Sequence, residues 1–434
     1  MTYQPADLVE VLAWGRTVGA VAAVPDRDWY AFEFDPSWVD DGVELAPLHM
    51  PNRPGIYEFP ALARLTFHRL PPMLADSLPD RFGNALVDAW LADQGIAPEQ
   101  VTPLDRLAYM ADRGMGALTF RPPLRAAPEL PTALQLADLV TAARAAVRGD
   151  VATSETTLEA LRQLIRVGTS AGGARPKAVI AFNPETDQIR SGQLASPEGF
   201  QHWLVKLDGV GGDPTREVSF AEGGGYGRIE YAYSLMAAAA GIDMSECRLL
   251  PEGPRTHFLT RRFDRGDDGS RTHVLTLCGL AHLDFNMPRT HSYSQYLHAV
   301  DALGLGAGAR EQAFRRVVFN VAAVNRDDHT KNLAFVMAPD GSWDLAPAYD
   351  LTYAHNPSGV WTSQHQMSVN GKFYGVTRAD LREFGDRQLV PGFDDALADV
   401  LKAVARWPEF AESAGVPGTA IERVGADMAA HRPA

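Results

Sequence analysis

The sequence predicts an α+β fold: a separate α/β unit in front, a middle part of strands and helices, and a mostly helical end. Three observations carry this. Short apolar segments punctuated by Gly and Pro, mixed with helix-like runs, occupy the chain up to about residue 268, and helical spacing dominates after it. A Pro/Ala-rich joint, Arg-Ala-Ala-Pro-Glu-Leu-Pro-Thr-Ala-Leu over 125–134, interrupts the first part. A length of 434 residues with 46% hydrophobic and 22% charged side chains suits two or three cores of ordinary globular composition. The expected divisions are 1–125, 135–268 and 269–434.

Taken in order, Leu8 to Ala23 alternates as a hairpin around Gly15 and Gly19, and Gly83 to Asp93 reads as a helix among Pro-punctuated loops. Gly114 to Phe120 reads as a closing strand. A helix is expected over 135–148 from its apolar spacing. From Gly168 the pattern becomes a glycine-rich turn, strand Ala178–Phe182, a turn over Asn183–Asp187 and strand His202–Leu207. The loop Glu222–Gly227 leads into helix Arg228–Ala240, followed by strands near Cys247–Leu250 and His257–Phe263. The clearest later helix is Ala309–Val324.

A net charge of −14 argues against broad nucleic-acid binding by this chain alone. Two cysteines exclude a disulfide framework and a cysteine-based zinc ribbon, which suggests a reducing, cytoplasmic setting. The N-terminus lacks a basic start before an apolar run, and no apolar run reaches bilayer length, so no secretory signal and no membrane partner are expected. Of 40 basic residues only five are lysine: Lys177, Lys206, Lys331, Lys372 and Lys402. Where arginine serves as the general cation, a retained lysine marks a place for a compact point charge.

Most informative is Asn325-Arg-Asp-Asp-His-Thr-Lys-Asn332. Asp327 is followed after four residues by Asn332; a turn at Pro339-Asp340-Gly341 then separates two apolar segments leading to Asp350. That is the layout of a protein-kinase catalytic loop, a small hairpin and a metal-binding Asp. Phosphoryl transfer needs one carboxylate to deprotonate the attacking hydroxyl, here Asp327. It also needs hard oxygen donors for Mg²⁺, here Asn332 and Asp350. A lone loop Asp more often caps a turn, so the reading rests on the three together. Asp328 is the neighbour that could be mistaken for the base. Lys331 and His329 lie between base and ligand, although His329 reads equally as a structural histidine. The other histidines show no metal-ligand spacing, so no zinc site is expected. Lys206 ends an apolar strand and suits a phosphate-holding role, with Glu230 as an ion-pair partner or simply a solvated helical side chain. Gly168-Thr-Ser-Ala-Gly-Gly-Ala-Arg-Pro-Lys177 is the phosphate-loop candidate, and Gly223-Gly224-Gly225 reads as a connector.

These motifs resemble the HipA-like serine/threonine kinases, the toxin halves of bacterial toxin–antitoxin pairs. The resemblance runs through nearly the whole chain: Pro103 to Tyr109, Gly114 to Phe120, Thr169 to Lys177, His202 to Lys206, Arg262 to Arg265, Asn325 to Asn332, Leu345 to Asp350 and Asn370 to Lys372. It implies a two-lobed protein-kinase-like fold with an N-terminal subdomain. It implies that Asp327 is the base and that Asn332 and Asp350 bind Mg²⁺. Gly172, Gly173, Ala174, Arg175, Lys177, Lys206, Phe263, His329, Lys331 and Asn332 would contact ATP, with Arg261, Tyr349 and Asp350 counted beside them. Ser170 would be the autophosphorylated serine that silences the enzyme. Where some family members carry Glu near the adenine this chain has Arg261, so adenine-edge contacts there would fall to backbone groups. The implied partners are a helix-turn-helix, HipB-like antitoxin, operator DNA through it, and a protein substrate in translation such as an aminoacyl-tRNA synthetase. Two rival readings are a small-molecule phosphotransferase and a catalytically idle corepressor.

Overall fold

The computed structural model describes residues 5–79, 81–92, 94–124, 139–140, 143, 177–192, 198–208, 210, 225–253 and 255–434. The chain divides into two compact units: Met1–Gly211 with Arg261–Asp284 and Val336–Ser342, and Gly212–Thr260 with Phe285–Phe335 and Trp343–Ala434.

The first unit opens on an antiparallel sheet. Its strands are β1 (Leu8–Ala13), β2 (Arg16–Ala23), β3 (Tyr30–Phe34), β4 (Ile56–Glu58) and β5 (Leu118–Arg121), in the order β4-β3-β2-β1-β5. Trp14 and Gly15 both have positive φ, 51° and 78°, the backbone of a tight primed hairpin turn between β1 and β2. Gly19, expected near that turn, lies within β2 opposite Phe34, where a Cβ would strike the Glu33 carbonyl. Val9, Val11, Val18, Val21, Phe32 and Phe120 are buried on this sheet. The helix Pro103–Met110 is started by Thr102, whose hydroxyl accepts from the Asp105 N–H while the Asp105 carboxylate accepts from the Thr102 N–H. The helix expected over 83–93 spans Arg81–Ala92. Of the helix expected over 135–148, Leu139, Val140 and Ala143 are described, and they are helical and buried.

Further along the same unit, β6 (Lys177–Phe182) lies between β7 (Ile189–Ser191) and β8 (Gln201–Lys206), antiparallel to both. Every residue of β6 is buried, as its unbroken apolar run Ala-Val-Ile-Ala-Phe requires.

The second unit is mainly helical. The helix Tyr226–Ala239 precedes a hairpin of Cys247–Glu252 with Arg255–Arg261. The helices Tyr293–Ala302, Gly306–Ala322, Arg378–Arg387, Phe393–Val404, Trp407–Ser413 and Gly418–Ala430 follow. Tyr233 anchors the core, edge-on to Phe319 at 6.0 Å and to Trp407 at 5.3 Å, and its buried hydroxyl donates to the Ala323 carbonyl at 2.6 Å. Among the described residues no helix is long and apolar enough to cross a membrane.

Candidate active site

In the second unit the site grows out of the end of the helix Gly306–Ala322, whose last turns are buried through Val317, Val318, Phe319 and Val321. Val324 then takes φ 55°, a left-handed conformation that a β-branched residue rarely adopts and that costs roughly 1–3 kcal/mol. The turn is held on both sides. Asn325 N–H donates to the Asn320 carbonyl at 3.0 Å, and Ala354 N–H donates to the Val324 carbonyl at 3.2 Å. Next comes a buried relay. The Asn325 amide donates to Asn320 Oδ1 (2.9 Å), the Asn320 amide to the Tyr293 hydroxyl (3.0 Å), and that hydroxyl to Asp328 Oδ2 (2.6 Å). Burial, then the Asp328 carboxylate, pushes the Tyr293 phenol well above its ordinary range, so it remains a donor. Asp328 also accepts from His365 Nδ1 at 2.9 Å and from the Gln366 N–H at 2.7 Å.

The two adjacent aspartates therefore differ. The Asp328 side chain is 0% exposed and accepts from three donors. The Asp327 side chain is 30% exposed, with His329 Nε2 at 4.0 Å from its Oδ1. The Asn332 side-chain nitrogen donates to the Asp327 backbone carbonyl at 2.8 Å. This orientation commits the amide N–H and leaves the side-chain oxygen as the coordinating atom. Lys331 Nζ sits 5.0 Å over the Phe285 ring, which also packs on the buried His329 ring at 5.5 Å. The Tyr349 hydroxyl donates to the Lys331 carbonyl at 2.6 Å. The segment into Asp350 is held by Ala348 N–H to the Asp243 carbonyl (2.8 Å) and by buried Arg316 to the Ala346 carbonyl (2.8 Å). Asp350 itself takes φ 52°. A carboxamide oxygen and a carboxylate make a donor set suited to a hard divalent cation. Asp327, His329, Lys331, Asn332 and Tyr349 are thus tied together by local bonds, with Asp350 next along the chain. Sequence reasoning missed Tyr293, Asn320 and His365; Asn325 stood in the motif without a role.

In the first unit, Lys177 and Lys206 face each other directly in the β6–β8 register. Lys177 is buried and Lys206 half-buried. Beside β8, Arg262 N–H donates to the His202 carbonyl at 2.9 Å, which fixes the half-buried Phe263 next to it. Arg261 forms a bidentate pair with Asp267 at 2.7 and 2.8 Å. Asp264 is buried between Arg262 and Arg265, each at 2.7 Å, and also accepts from the Gly116 N–H at 2.7 Å. Burial alone would raise its pKa, but Arg262 and Arg265 hold the carboxyl well below the usual range. Arg265 donates in turn to the carbonyls of Gly114 (2.7 Å) and Gly116 (2.9 Å). Arg262 to Arg265 is thus a buried clamp on the loop before β5. Ser170, Gly172, Gly173, Ala174 and Arg175 lie outside the described residues. Glu230, in the second unit, is 3% exposed, so it is not a solvated side chain.

Two family models cover the chain: the HipA N-terminal domain matches residues 9–121 and the HipA-like C-terminal domain matches residues 169–433. The chain belongs to the HipA family. Among solved structures it is similar to HipA in a complex of the Shewanella oneidensis MR-1 toxin–antitoxin system with HipB and operator DNA. The TM-score is 0.64 at 16% identity, over 98% of this chain and 96% of that one. At that identity the likeness speaks for the fold, and the HipA-like α+β architecture expected from the sequence is established. The Helicobacter pylori proinflammatory kinase CtkA matches 60% of this chain and 93% of its own at 12% identity, with a TM-score of 0.36 that carries no further argument. No curated protein matches the chain.

Proposed function

We propose that this HipA-family chain is an ATP- and Mg²⁺-dependent protein serine/threonine kinase and the toxin of a toxin–antitoxin pair. The observation that carries the reading is the division of labour between neighbouring aspartates. Asp328 is spent on Tyr293, His365 and Gln366, whereas the Asp327 side chain stays partly exposed beside an oriented Asn332. Asp327 accepts the proton of a substrate hydroxyl as its oxygen attacks the γ-phosphorus and the bond to the β–γ bridging oxygen breaks, releasing ADP; the base contributes about 10²–10⁴-fold in rate. Asn332 and Asp350 would hold Mg²⁺, which when bound offsets phosphate charge. Lys177, Lys206 and Phe263 in the first unit, and His329, Lys331 and Tyr349 in the second, are the proposed nucleotide contacts, the strand lysines as point charges for phosphate. The Arg261–Asp267 pair engages that guanidinium, so adenine contacts fall to backbone groups.

Ser170 is the proposed autophosphorylation site. A phosphoserine adds about −1.5 to −2 charges where the nucleotide phosphates lie. The similarity to a HipA solved with HipB and operator DNA supports a HipB-like antitoxin and, through it, DNA as partners. A translation enzyme such as an aminoacyl-tRNA synthetase is the proposed protein substrate, reached in the cytoplasm.

The test is phosphosite mass spectrometry of dephosphorylated protein after incubation with ATP and Mg²⁺, beside Asp327→Asn. Phosphate on Ser170 in the wild type and none in the variant is the expected result. Absence of phosphate from both, with ATP binding intact, would overturn the kinase reading.

A further inference from the structure

A second cluster of chemistry-bearing side chains lies in the second unit. His355 follows Asp350 by five residues, and Asp427 and His431 stand one turn apart on and just beyond the helix Gly418–Ala430. One candidate ligand atom from each of the three lies within 4.8 Å of the others. We propose that His355, Asp427 and His431 form a binding site for a first-row transition metal ion of the Zn²⁺ class, fastening the segment after Asp350 to the C-terminal helix.

The donor set points to that class. Two imidazoles and one carboxylate suit Zn²⁺ and its neighbours, whereas Mg²⁺ and Ca²⁺ demand oxygen donors. The guanidinium of Arg326, a charge neighbour of His355, opposes any cation here, so binding must come from nitrogen coordination rather than net charge. It donates to the Ser363 carbonyl at 2.6 Å and lies 5.3 Å over the Tyr374 ring, which packs on His431 at 5.8 Å.

The second independent observation is how the donors are oriented. His431 Nδ1 lies 2.8 Å from the Asp427 backbone carbonyl. A carbonyl can only accept, so the proton sits on Nδ1 and the lone pair on Nε2. Metal-bound histidines are typically fixed in this way, through the other ring N–H. Asp427 Oδ2 accepts from the Tyr353 hydroxyl, an outer support of the kind that orients a ligating carboxylate, and in the metal-free protein also from His355 Nδ1 at 3.1 Å. Bound metal takes the place of the His355 Nδ1 proton, which moves to Nε2 of the same neutral ring. Three protein ligands leave a position for water, as in open zinc sites.

The site was not legible as a spacing, because His355 stands 72 residues from Asp427. The proposal does not depend on the kinase reading, and its test reads metal binding directly. Full-length protein stripped with chelator is titrated with Zn²⁺ and with Co²⁺, following melting temperature and the visible Co²⁺ absorption. The expected result is one ion per chain, a rise in melting temperature and a Co²⁺ spectrum with nitrogen ligands. Affinity should be weaker by roughly tenfold or more in His431→Gln and in Asp427→Asn. Because Asp427→Asn disturbs Tyr353 as well, His431→Gln, at a half-exposed position, is the decisive variant; its metal-free melting temperature should match the wild type. Absence of a Co²⁺ spectrum in the wild type, or equal affinity in His431→Gln, would overturn the site.

Discussion

Two charged motifs that look alike in the sequence, Arg262 to Arg265 and Asn325 to Asn332, behave differently in the fold. In the first, Asp264 is fully buried and its oxygens accept from Arg262, Arg265 and the Gly116 N–H. In the second, Asp328 plays that same structural part, but Asp327 beside it keeps an exposed fraction of 30%. A carboxylate whose acceptor sites are filled by the protein is a fastener. A carboxylate held in place by its neighbours while part of its side chain stays exposed is available for chemistry.

The sharpest way to break this comparison is Asp327→Asn. It should lower phosphoryl transfer by about 10²–10⁴-fold while leaving the unfolding midpoint near wild type. A large loss of stability would make Asp327 a fastener too. Asp264→Asn should do the reverse and cost about 3–5 kcal/mol of folding stability, because Arg262 and Arg265 would be left buried without their counter-charge. Denaturant titration measures it, and an unchanged midpoint would remove the clamp from the account.

Asp328→Asn should fall between the two. One acceptor oxygen becomes a donor facing Tyr293 and His365, which costs about 1–3 kcal/mol. Because the relay fixes the loop, kcat should drop as well, and a variant with normal stability and normal kcat would sever Asp328 from the site.

A further way to sharpen the comparison is the pH dependence of the first unit. Burial, reinforced by Arg262 and Arg265, pulls His202 down to about 4, and burial pulls His273 down to about 4. Both are neutral when folded but take up protons near pH 6.5 when unfolded. Their contribution is therefore present above about pH 6.5 and declines as pH falls toward 4. Asp264, with a depressed pKa, loses its contribution only below the ordinary carboxylate range. Melting curves across these windows should show two separate declines, and the combined His202→Gln and His273→Gln variant should shrink the upper one only, with His282, pulled down to about 3 by burial, and His49, lowered the same way, carrying the rest.

Much of the second unit's candidate site was legible because its residues fall in short chain segments. Asp327 to Asn332 is one loop, and Tyr349-Asp350 follows a hairpin, so the spacing itself puts these candidates near one another. The Lys177–Lys206 pairing could be anticipated as two strands but not as a direct opposition, since register depends on which residues face across the ladder. The Asp328 relay was illegible because Tyr293 and His365 stand 35 and 37 residues away. Gly19 misled for a related reason: its small size serves a close approach to Glu33 rather than a turn.

By itself the sequence determined the α+β class, the order of the main strands and helices, and the residue types able to do the chemistry. These follow from local periodicity, turn residues and motif spacing, which a linear chain displays directly. Only the tertiary structure decided which of two adjacent aspartates is consumed by the fold, that Arg262 to Arg265 clamps Gly114 and Gly116, and that His355 meets Asp427 and His431. Those outcomes depend on burial and on hydrogen bonds between residues far apart in the chain, and neither quantity is a property of any single segment.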